Sequence, residues 1–197
     1  MRPVILDVDP GVDDALAILM ALHSPELEVV GLTTVSGNVP LDQTTENALK
    51  VLELAGRTDV SVYMGAAKPL VRQSCHAYEV HGPEGLGAAA LPDPEAMPAG
   101  DAVDFLIEAL EARQGEVIVV ATGPLTNLAL AEARCPGILS HARRLVIMGG
   151  GLHEPGNISP HTEFNFHVDP HAARLVVNSG ANIALVLLPQ PLVGQAA

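Results

Sequence analysis

Asp7-Val8-Asp9-Pro10-Gly11-Val12-Asp13-Asp14 places four carboxylates within eight residues, directly after the apolar run Val4-Ile5-Leu6. The apolar run predicts a short buried strand, and the alternation of side chains along a strand puts Asp7 and Asp9 on the same side at its carboxyl end. The glycine supplies a turn, and the residues from Asp13 onward predict a helix whose first turn carries two acids. A strand, a turn and a helix start therefore meet at one spot, which is typical of an α/β fold.

The crowding of these aspartates has an electrostatic cost. Two like charges in close contact repel by about 1 to 4 kcal/mol at intermediate dielectric, and several such pairs would offset much of a protein's net stability. A hard divalent cation with oxygen ligands removes that cost, and calcium and magnesium are the natural candidates. The alternative is that Asp13 and Asp14 only cap the helix while Asp7 and Asp9 lie in solvent, although capping needs one acid or two.

Composition and charge limit the possible functions. The chain has 197 residues and is 48% hydrophobic, which is enough to build one domain with a core. Its net charge of −13 opposes binding to nucleic acid and to anionic membranes, so a neutral small molecule is the expected partner. No apolar run is long enough to span a bilayer, and the N-terminus leads into a strand rather than a signal peptide, which predicts a cytoplasmic protein. Cys75 and Cys135 lack metal-ligand spacing and are expected to be reduced thiols.

The middle of the chain alternates strand-like and helix-like segments. The predicted strands after the first are 27–34, 60–64, 116–121, 144–148 and 182–188, and the predicted helices are 41–55, 101–113, 127–133 and 170–178. This alternation predicts a mainly parallel central sheet with helices on both faces, a Rossmann-like α/β fold. Residues 82–100 form the one long irregular stretch, which we interpret as a loop.

Small and polar residues follow several predicted strands. Asn38, Thr122 and Met148 come just after or at the ends of strands 27–34, 116–121 and 144–148. Because ligands bind beyond the carboxyl ends of parallel strands, a site assembled from four strand ends, including that of Asp7 to Asp14, is the economical interpretation. Turn and cap roles are the alternative; they are favoured for Asn127 at a helix start and stay open for Asn38 and Thr122.

Residues 156–165 form a second dense polar segment. Asn157, Glu163 and Asn165 offer donors and acceptors that match the vicinal hydroxyls of a ribose. An isolated surface loop would contain the same residue types, so both interpretations stay open.

Several motifs together resemble the nucleoside hydrolase family, also called inosine-uridine preferring nucleoside hydrolases. The similar stretches are 7–14 (Asp-x-Asp-x-Gly-x-Asp-Asp), 81–87 (His-Gly-Pro-Glu-Gly-Leu-Gly), 119–127, 146–151, 163–165 and 169–173. They occur in the family's order and with similar spacing, and the resemblance extends from residue 4 to about residue 186.

The resemblance implies calcium-dependent hydrolysis of the N-glycosidic bond of purine or pyrimidine ribonucleosides, giving ribose and free base. It implies that Asp9 and Asp14 ligate calcium through their carboxylates and Thr122 through its backbone carbonyl, with Asp9 accepting a proton from the attacking water. The implied substrate-binding residues are Asp13, Asn38, Asn157, Glu163 and Asn165 for the ribose hydroxyls, Met148 for the sugar pocket and His81 near the base. Asp7 would support the loop from behind, and a homo-oligomer is expected.

The chain also departs from the family pattern. Family members carry a His-Asp pair far beyond residue 197, and the sequence diverges after residue 188, so we divide it into a domain at 1–188 and a divergent tail at 189–197. A truncated gene, a frameshifted tail and a fragment would all give this pattern. Two alternatives follow: a nucleoside- or ribose-binding remnant without turnover, and a haloacid dehalogenase-like phosphohydrolase, whose Asp-x-Asp motif Asp7-Val8-Asp9 superficially resembles.

Overall fold

The first strand lies at the centre of the sheet. A computed structural model describes residues 1–152 and 155–188. In it β1 (Arg2–Val8) pairs in parallel with β2 (Leu27–Thr34) on one side and with β5 (Ile118–Ala121) on the other. Asp7 is in register with Thr33 of β2 and with Ala121 of β5. The carboxyl ends of these three strands therefore meet beside the aspartates.

Seven strands form one parallel sheet in the described part of the chain, in the order β4-β3-β2-β1-β5-β6-β7. The remaining strands are β3 (Val62–Met64), β4 (Gly100–Asp101), β6 (Arg144–Met148) and β7 (Ile183–Val186). The helices are α1 (Val12–His23), α2 (Leu41–Leu54), α3 (Tyr78–His81), α4 (Ala102–Ala112), α5 (Thr126–Arg134), α6 (Phe164–Val168) and α7 (Pro170–Val177), with a 3-10 turn at Ile138–His141.

Alternate side chains of β1 enter two different cores. Ile5 packs in a cluster with residues of α4, α5 and α7, whereas Val4 and Leu6 pack in a second cluster with residues of α1 and α2. A strand that is apolar on both sides is the pattern expected where helices cover both faces of a parallel sheet. The predicted α/β architecture is confirmed.

Element boundaries match the sequence-based prediction closely, and the differences concern short elements. Strands 60–64 and 182–188 shorten to Val62–Met64 and Ile183–Val186. The elements that the sequence pattern did not predict are α3, β4, α6 and the 3-10 turn, each of two to five residues. Residues 82–99 contain no helix or strand, as expected.

The tail at 189–197 lies outside the described residues, so its boundary stays a prediction. Within residues 1–152 and 155–188, no helix combines the length and the apolar character needed to cross a membrane.

Candidate active site

Three of the four aspartates in the first motif are buried. Asp7 is 0% exposed, Asp9 1% and Asp14 4%, whereas Asp13 lies at the surface. The alternative in which Asp7 and Asp9 lie in solvent is therefore wrong. Asp14 does have a capping role, because its Oδ2 accepts a hydrogen bond of 3.1 Å from the backbone N–H of Gly11 at the start of α1.

Asp9 lies against the turn that follows β2. Its Oδ2 accepts a 2.8 Å hydrogen bond from the backbone N–H of Asn38, and Asn38 Nδ2 donates to the backbone carbonyl of Asp9 at 3.0 Å. Within the described residues the other carboxylate oxygen, Oδ1, has no hydrogen-bond partner although it is buried. A Cβ atom added at Gly37 would lie 2.0 Å from Asp9 Oδ2, and one added at Gly123 would lie 2.6 Å from Oδ1. Glycine at both positions lets backbone approach the carboxylate closely.

Asp14 connects α1 to the end of β5. Its Oδ1 accepts a short hydrogen bond from the hydroxyl of Thr122. The backbone carbonyl of Thr122 in turn accepts a 2.6 Å hydrogen bond from Asn165 Nδ2. Asn38 and Thr122, whose roles as turn or site residues were open, therefore both contact the buried acids.

Burial disfavours the charged form of these carboxylates. It raises the pKa of Asp9 well above the usual 3.8, and the nearby Asp14 raises it further. Burial likewise raises the pKa of Asp14 to about 6, although hydrogen bonds from Thr122 and Gly11 oppose the shift. Both carboxylates are easily ionised together only if a positive charge lies beside them.

The oxygen atoms at this spot fit a hard cation. Asp9 and Asp14 supply carboxylates, and Asp9 has the oxygen without a hydrogen-bond partner within the described residues. Thr122, whose hydroxyl contacts Asp14, also offers a backbone carbonyl. No group of three or more His, Cys, Asp or Glu side chains suited to a metal occurs in residues 1–152 and 155–188, so protein acids alone would not complete a shell. Calcium takes six to eight oxygen ligands and accepts water, carbonyl and hydroxyl oxygens among them.

A cavity of about 310 Å³ opens in front of these acids. Every predicted metal or substrate residue except Asp9 lines it: Asp13, Asp14, Asn38, His81, Thr122, Met148, Asn157, Glu163 and Asn165. A larger groove of about 520 Å³ lies beside Glu132 and Arg174, but it is more open and contains none of the buried acids. We therefore place the candidate site in the smaller cavity, at the ends of β1, β2, β5 and β6.

The segment at 156–165 forms one wall of this cavity, so it is not an isolated surface loop. The Glu163 carboxylate caps α6 by accepting hydrogen bonds from the backbone N–H groups of Asn165 at 2.8 Å and Phe166 at 3.1 Å. It also accepts one of 2.9 Å from Gly150, which follows β6. Asn157 Oδ1 accepts from the N–H of Phe164 at 2.8 Å. These residues shape the wall before any ligand is bound.

His81 and Asp13 face each other across the mouth of the cavity. His81 Nδ1 accepts a 3.3 Å hydrogen bond from the backbone N–H of Val12 and lies 3.8 Å from Asp13 Oδ1. Because Nδ1 accepts, the neutral ring carries its hydrogen on Nε2, which can donate to a ligand. The Asp13 side chain is 67% exposed, so it can reach a ligand without displacing protein atoms.

Asn127 and His76 have roles that differ from the sequence-based interpretation. Asn127 was interpreted as a helix cap, and this is wrong: its Nδ2 donates to Asp7 Oδ1 at 2.8 Å and to the Thr34 carbonyl at 3.0 Å, while its Oδ1 accepts from Ala66 N–H. Asp7 itself does not line the cavity. His76, which was not among the predicted site residues, does line it.

Comparisons with known proteins identify the family of this chain. The sequence model of the family described as inosine-uridine preferring nucleoside hydrolase matches residues 4–193. Uridine nucleosidase 1 of Arabidopsis thaliana is 46% identical over 185 residues, which cover 93% of this chain and 55% of that protein.

The fold of the chain is also similar to that of solved nucleoside hydrolases. A plant nucleoside hydrolase superposes with a TM-score of 0.89 at 41% identity, over 95% of this chain and 60% of its own. A purine-preferring ribonucleoside hydrolase from Gardnerella vaginalis superposes with a TM-score of 0.90 at 38% identity, over 93% of this chain and 60% of its own. The chain thus spans a little over half the length of these relatives. Because the family model matches residues 4–193 and the fold superposes on solved nucleoside hydrolases, the chain belongs to the inosine-uridine preferring nucleoside hydrolase family.

Proposed function

We propose that this chain binds calcium and a ribonucleoside in the cavity at the ends of β1, β2, β5 and β6 and hydrolyses the N-glycosidic bond of purine or pyrimidine ribonucleosides. The observation that supports this most directly is the buried, unpartnered Oδ1 of Asp9 beside Asp14. When bound, calcium would offset the charge of the two carboxylates and increase the acidity of a water.

Asp9 is the proposed general base. Its Oδ2 accepts from the Asn38 N–H, and its Oδ1 has no hydrogen-bond partner within the described residues, so Oδ1 is the oxygen proposed to accept a proton from the attacking water. The Asn38 N–H holds the carboxylate, and Gly37 and Gly123 lie so close to it that a side chain at either position would clash with it. This fixation favours reaction because the base does not have to be reoriented in the transition state.

The proposed ribose site uses the exposed carboxylate of Asp13 and the wall formed by Asn157 and Asn165. Asn165 donates its amide hydrogens to the carbonyls of Thr122 and Met148, which turns its Oδ1 into the atom available to accept from a hydroxyl. Vicinal hydroxyls held at both sides would keep the anomeric carbon close to Asp9.

His81 is the proposed contact with the base. Its Nε2 hydrogen, implied by the hydrogen bond from Val12 to Nδ1, can be donated to a ring nitrogen or oxygen of the leaving base. Such a donor suits both purines and pyrimidines. Relatives named for uridine and for purine preference both match the chain, so we propose breadth rather than one base.

A binding remnant is the second candidate, and one observation favours it. Within the described residues the metal site has two carboxylates and lacks a third acidic or histidine ligand. The phosphohydrolase alternative lacks support, because Asp7 of the Asp-x-Asp motif is fully buried and bonded to Thr33 and Asn127.

Release of reducing sugar from inosine and uridine tests the proposal. The protein is stripped of metal with a chelator and then titrated with calcium or magnesium. Sugar release that returns with calcium supports the enzyme; calcium binding and nucleoside binding without sugar release support the remnant. Homo-oligomer formation and a cytoplasmic location stay predictions, which analytical ultracentrifugation and cell fractionation would test.

A further inference from the structure

His76 is joined to the Asp9 carboxylate through a single peptide group. His76 Nδ1 donates a 2.8 Å hydrogen bond to the backbone carbonyl of Gly37. The next N–H along the chain, that of Asn38, belongs to the same peptide group and donates to Asp9 Oδ2 at 2.8 Å. Two hydrogen bonds and one peptide group therefore connect the imidazole to the carboxylate.

The donor and acceptor in each of these two hydrogen bonds follow from the groups involved. A backbone carbonyl can only accept, so His76 Nδ1 must carry a hydrogen, and a carboxylate can only accept, so the Asn38 N–H must donate. A donor at the carbonyl end of a peptide polarises its N–H end and strengthens the second hydrogen bond. His76 thus both holds the turn in place and strengthens the hydrogen bond to Asp9.

The surroundings hold the imidazole in this position. The neighbouring Ala77 N–H donates to the Asn38 carbonyl at 2.9 Å, so two successive residues of the segment bind the same turn. Ala77 is buried against Phe164 and Val168, and the Tyr78 ring lies 5.4 Å from the His76 ring between centroids. The turn cannot retreat from Asp9 without breaking these contacts.

We propose that His76 is a positioning residue for Asp9, which acts through the Gly37–Asn38 peptide to set the orientation of the carboxylate. The inference rests on the proposed role of Asp9 as base and calcium ligand. It gives a function to a histidine that lines the cavity and whose Nδ1 is bonded to the Gly37 carbonyl.

Substitution by asparagine and by glutamine distinguishes the contribution of Nδ1 from that of Nε2. In His76→Asn the side-chain amide can place an N–H where Nδ1 stood, and in His76→Gln an N–H where Nε2 stood, whereas His76→Ala removes both. His23→Ala is the matched control, since His23 also bonds a backbone carbonyl, that of Leu19, but is exposed at the end of α1. Thermal unfolding and the NMR spectrum of the backbone amides establish that each variant is folded.

Three readouts are compared: the Asn38 amide proton shift, calcium affinity by calorimetry, and kcat and KM for inosine. We expect His76→Ala and His76→Gln to move the Asn38 resonance upfield and to lower calcium affinity and kcat about three- to tenfold, the effect of one hydrogen bond. KM should change less, and His76→Asn should restore most of the loss.

Two results would overturn the proposal. An Asn38 resonance that stays in place in His76→Ala would mean that the peptide does not transmit the contact. Retention of function in His76→Gln together with loss in His76→Asn would assign the working atom to Nε2. If the wild-type chain neither binds calcium nor releases ribose, the proposed function fails, and the Asn38 shift still decides the role of His76.

Discussion

Asn127 Nδ2 donates a 2.8 Å hydrogen bond to Asp7 Oδ1, between residues that are 120 positions apart in the chain. Both side chains are fully buried. Asn127 also bonds the Thr34 carbonyl and the Ala66 N–H, so one amide ties β1 to the ends of β2 and β3. The buried hydrogen bonds of Asn127 therefore hold together the strand ends that carry the candidate site.

Removal of this amide should destabilise the protein strongly. Asn127→Ala leaves the buried Asp7 carboxylate with Thr33 as its hydrogen-bond partner. It also removes the side-chain partner of the buried Thr34 carbonyl and of the partly buried Ala66 N–H. We expect a loss of about 2 to 4 kcal/mol in the free energy of unfolding, measured with urea. Gln73→Ala, at an exposed position, is the control. Equal midpoints for the two variants would contradict the supporting role.

The stability of the metal-free protein should depend on the ionisation of Asp7. Burial raises the pKa of Asp7 from 3.8 to about 6, so the folded state binds its proton more tightly than the unfolded state. The free energy of unfolding should therefore be highest below pH 4 and fall as the pH rises through 6, by about 3 kcal/mol for this group.

Asp7→Asn should make that dependence less steep by the part that Asp7 contributes, while the raised pKa values of Asp9 and Asp14 keep the rest. The new Oδ1 can accept the hydrogen bonds from Thr33 and Asn127, so the variant removes the charge and keeps the contacts. Urea unfolding in chelator at pH 4 and pH 7 measures the slope. Parallel curves for the wild type and Asp7→Asn would show that Asp7 does not titrate in this range.

Gly37 should be intolerant of a side chain. A Cβ atom there would lie 2.0 Å from Asp9 Oδ2, and a displacement of the base by about 1 Å can cost about a hundredfold in rate. We expect Gly37→Ala to reduce both calcium affinity and ribose release by at least about tenfold. Gly100→Ala is the matched control, because the nearest atom to its Cβ would be 3.8 Å away, on Tyr63.

Asp9→Asn should have opposite effects on stability with and without calcium. In chelator it replaces a carboxyl whose charged form is disfavoured by burial and by Asp14, so the variant should unfold at a higher temperature than the wild type. With calcium at one hundred times its Kd, the wild type should gain about 2.7 kcal/mol and the variant much less, which reverses the order. Differential scanning calorimetry measures both; an unchanged order would exclude Asp9 as a ligand.

Much of this architecture follows from local pattern. Runs such as Val4-Ile5-Leu6 are apolar on both faces, which predicts central parallel strands, and the residues after them converge because parallel carboxyl ends share one edge. The short helix α3 was not predicted, because four residues carry little periodicity and its start is held by the bond from Ala77 to Asn38. The role of Asn127 was also not predicted, because its position at a helix start suggested a cap whereas its partner, Asp7, is distant in the sequence.

The sequence indicated which residues could form the site, but it did not indicate the contacts between them. The residue types at 7–14 and 156–165 indicate metal and sugar chemistry wherever they lie. That Glu163 is held by three backbone N–H groups, or that His76 reaches Asp9 through a peptide, depends on distances that only the folded chain defines.

The proposed role of Asp9 in nucleoside hydrolysis is tested by the initial rate of ribose release from inosine and uridine by the 197-residue chain with calcium, compared with Asp9→Asn. Asp59→Asn, which changes an exposed aspartate paired with Arg57, serves as the control. We expect sugar release by the wild type and by Asp59→Asn, and a loss of at least about a hundredfold in Asp9→Asn. Equal rates in all three proteins, or no release by a folded wild-type chain that binds calcium, would contradict it.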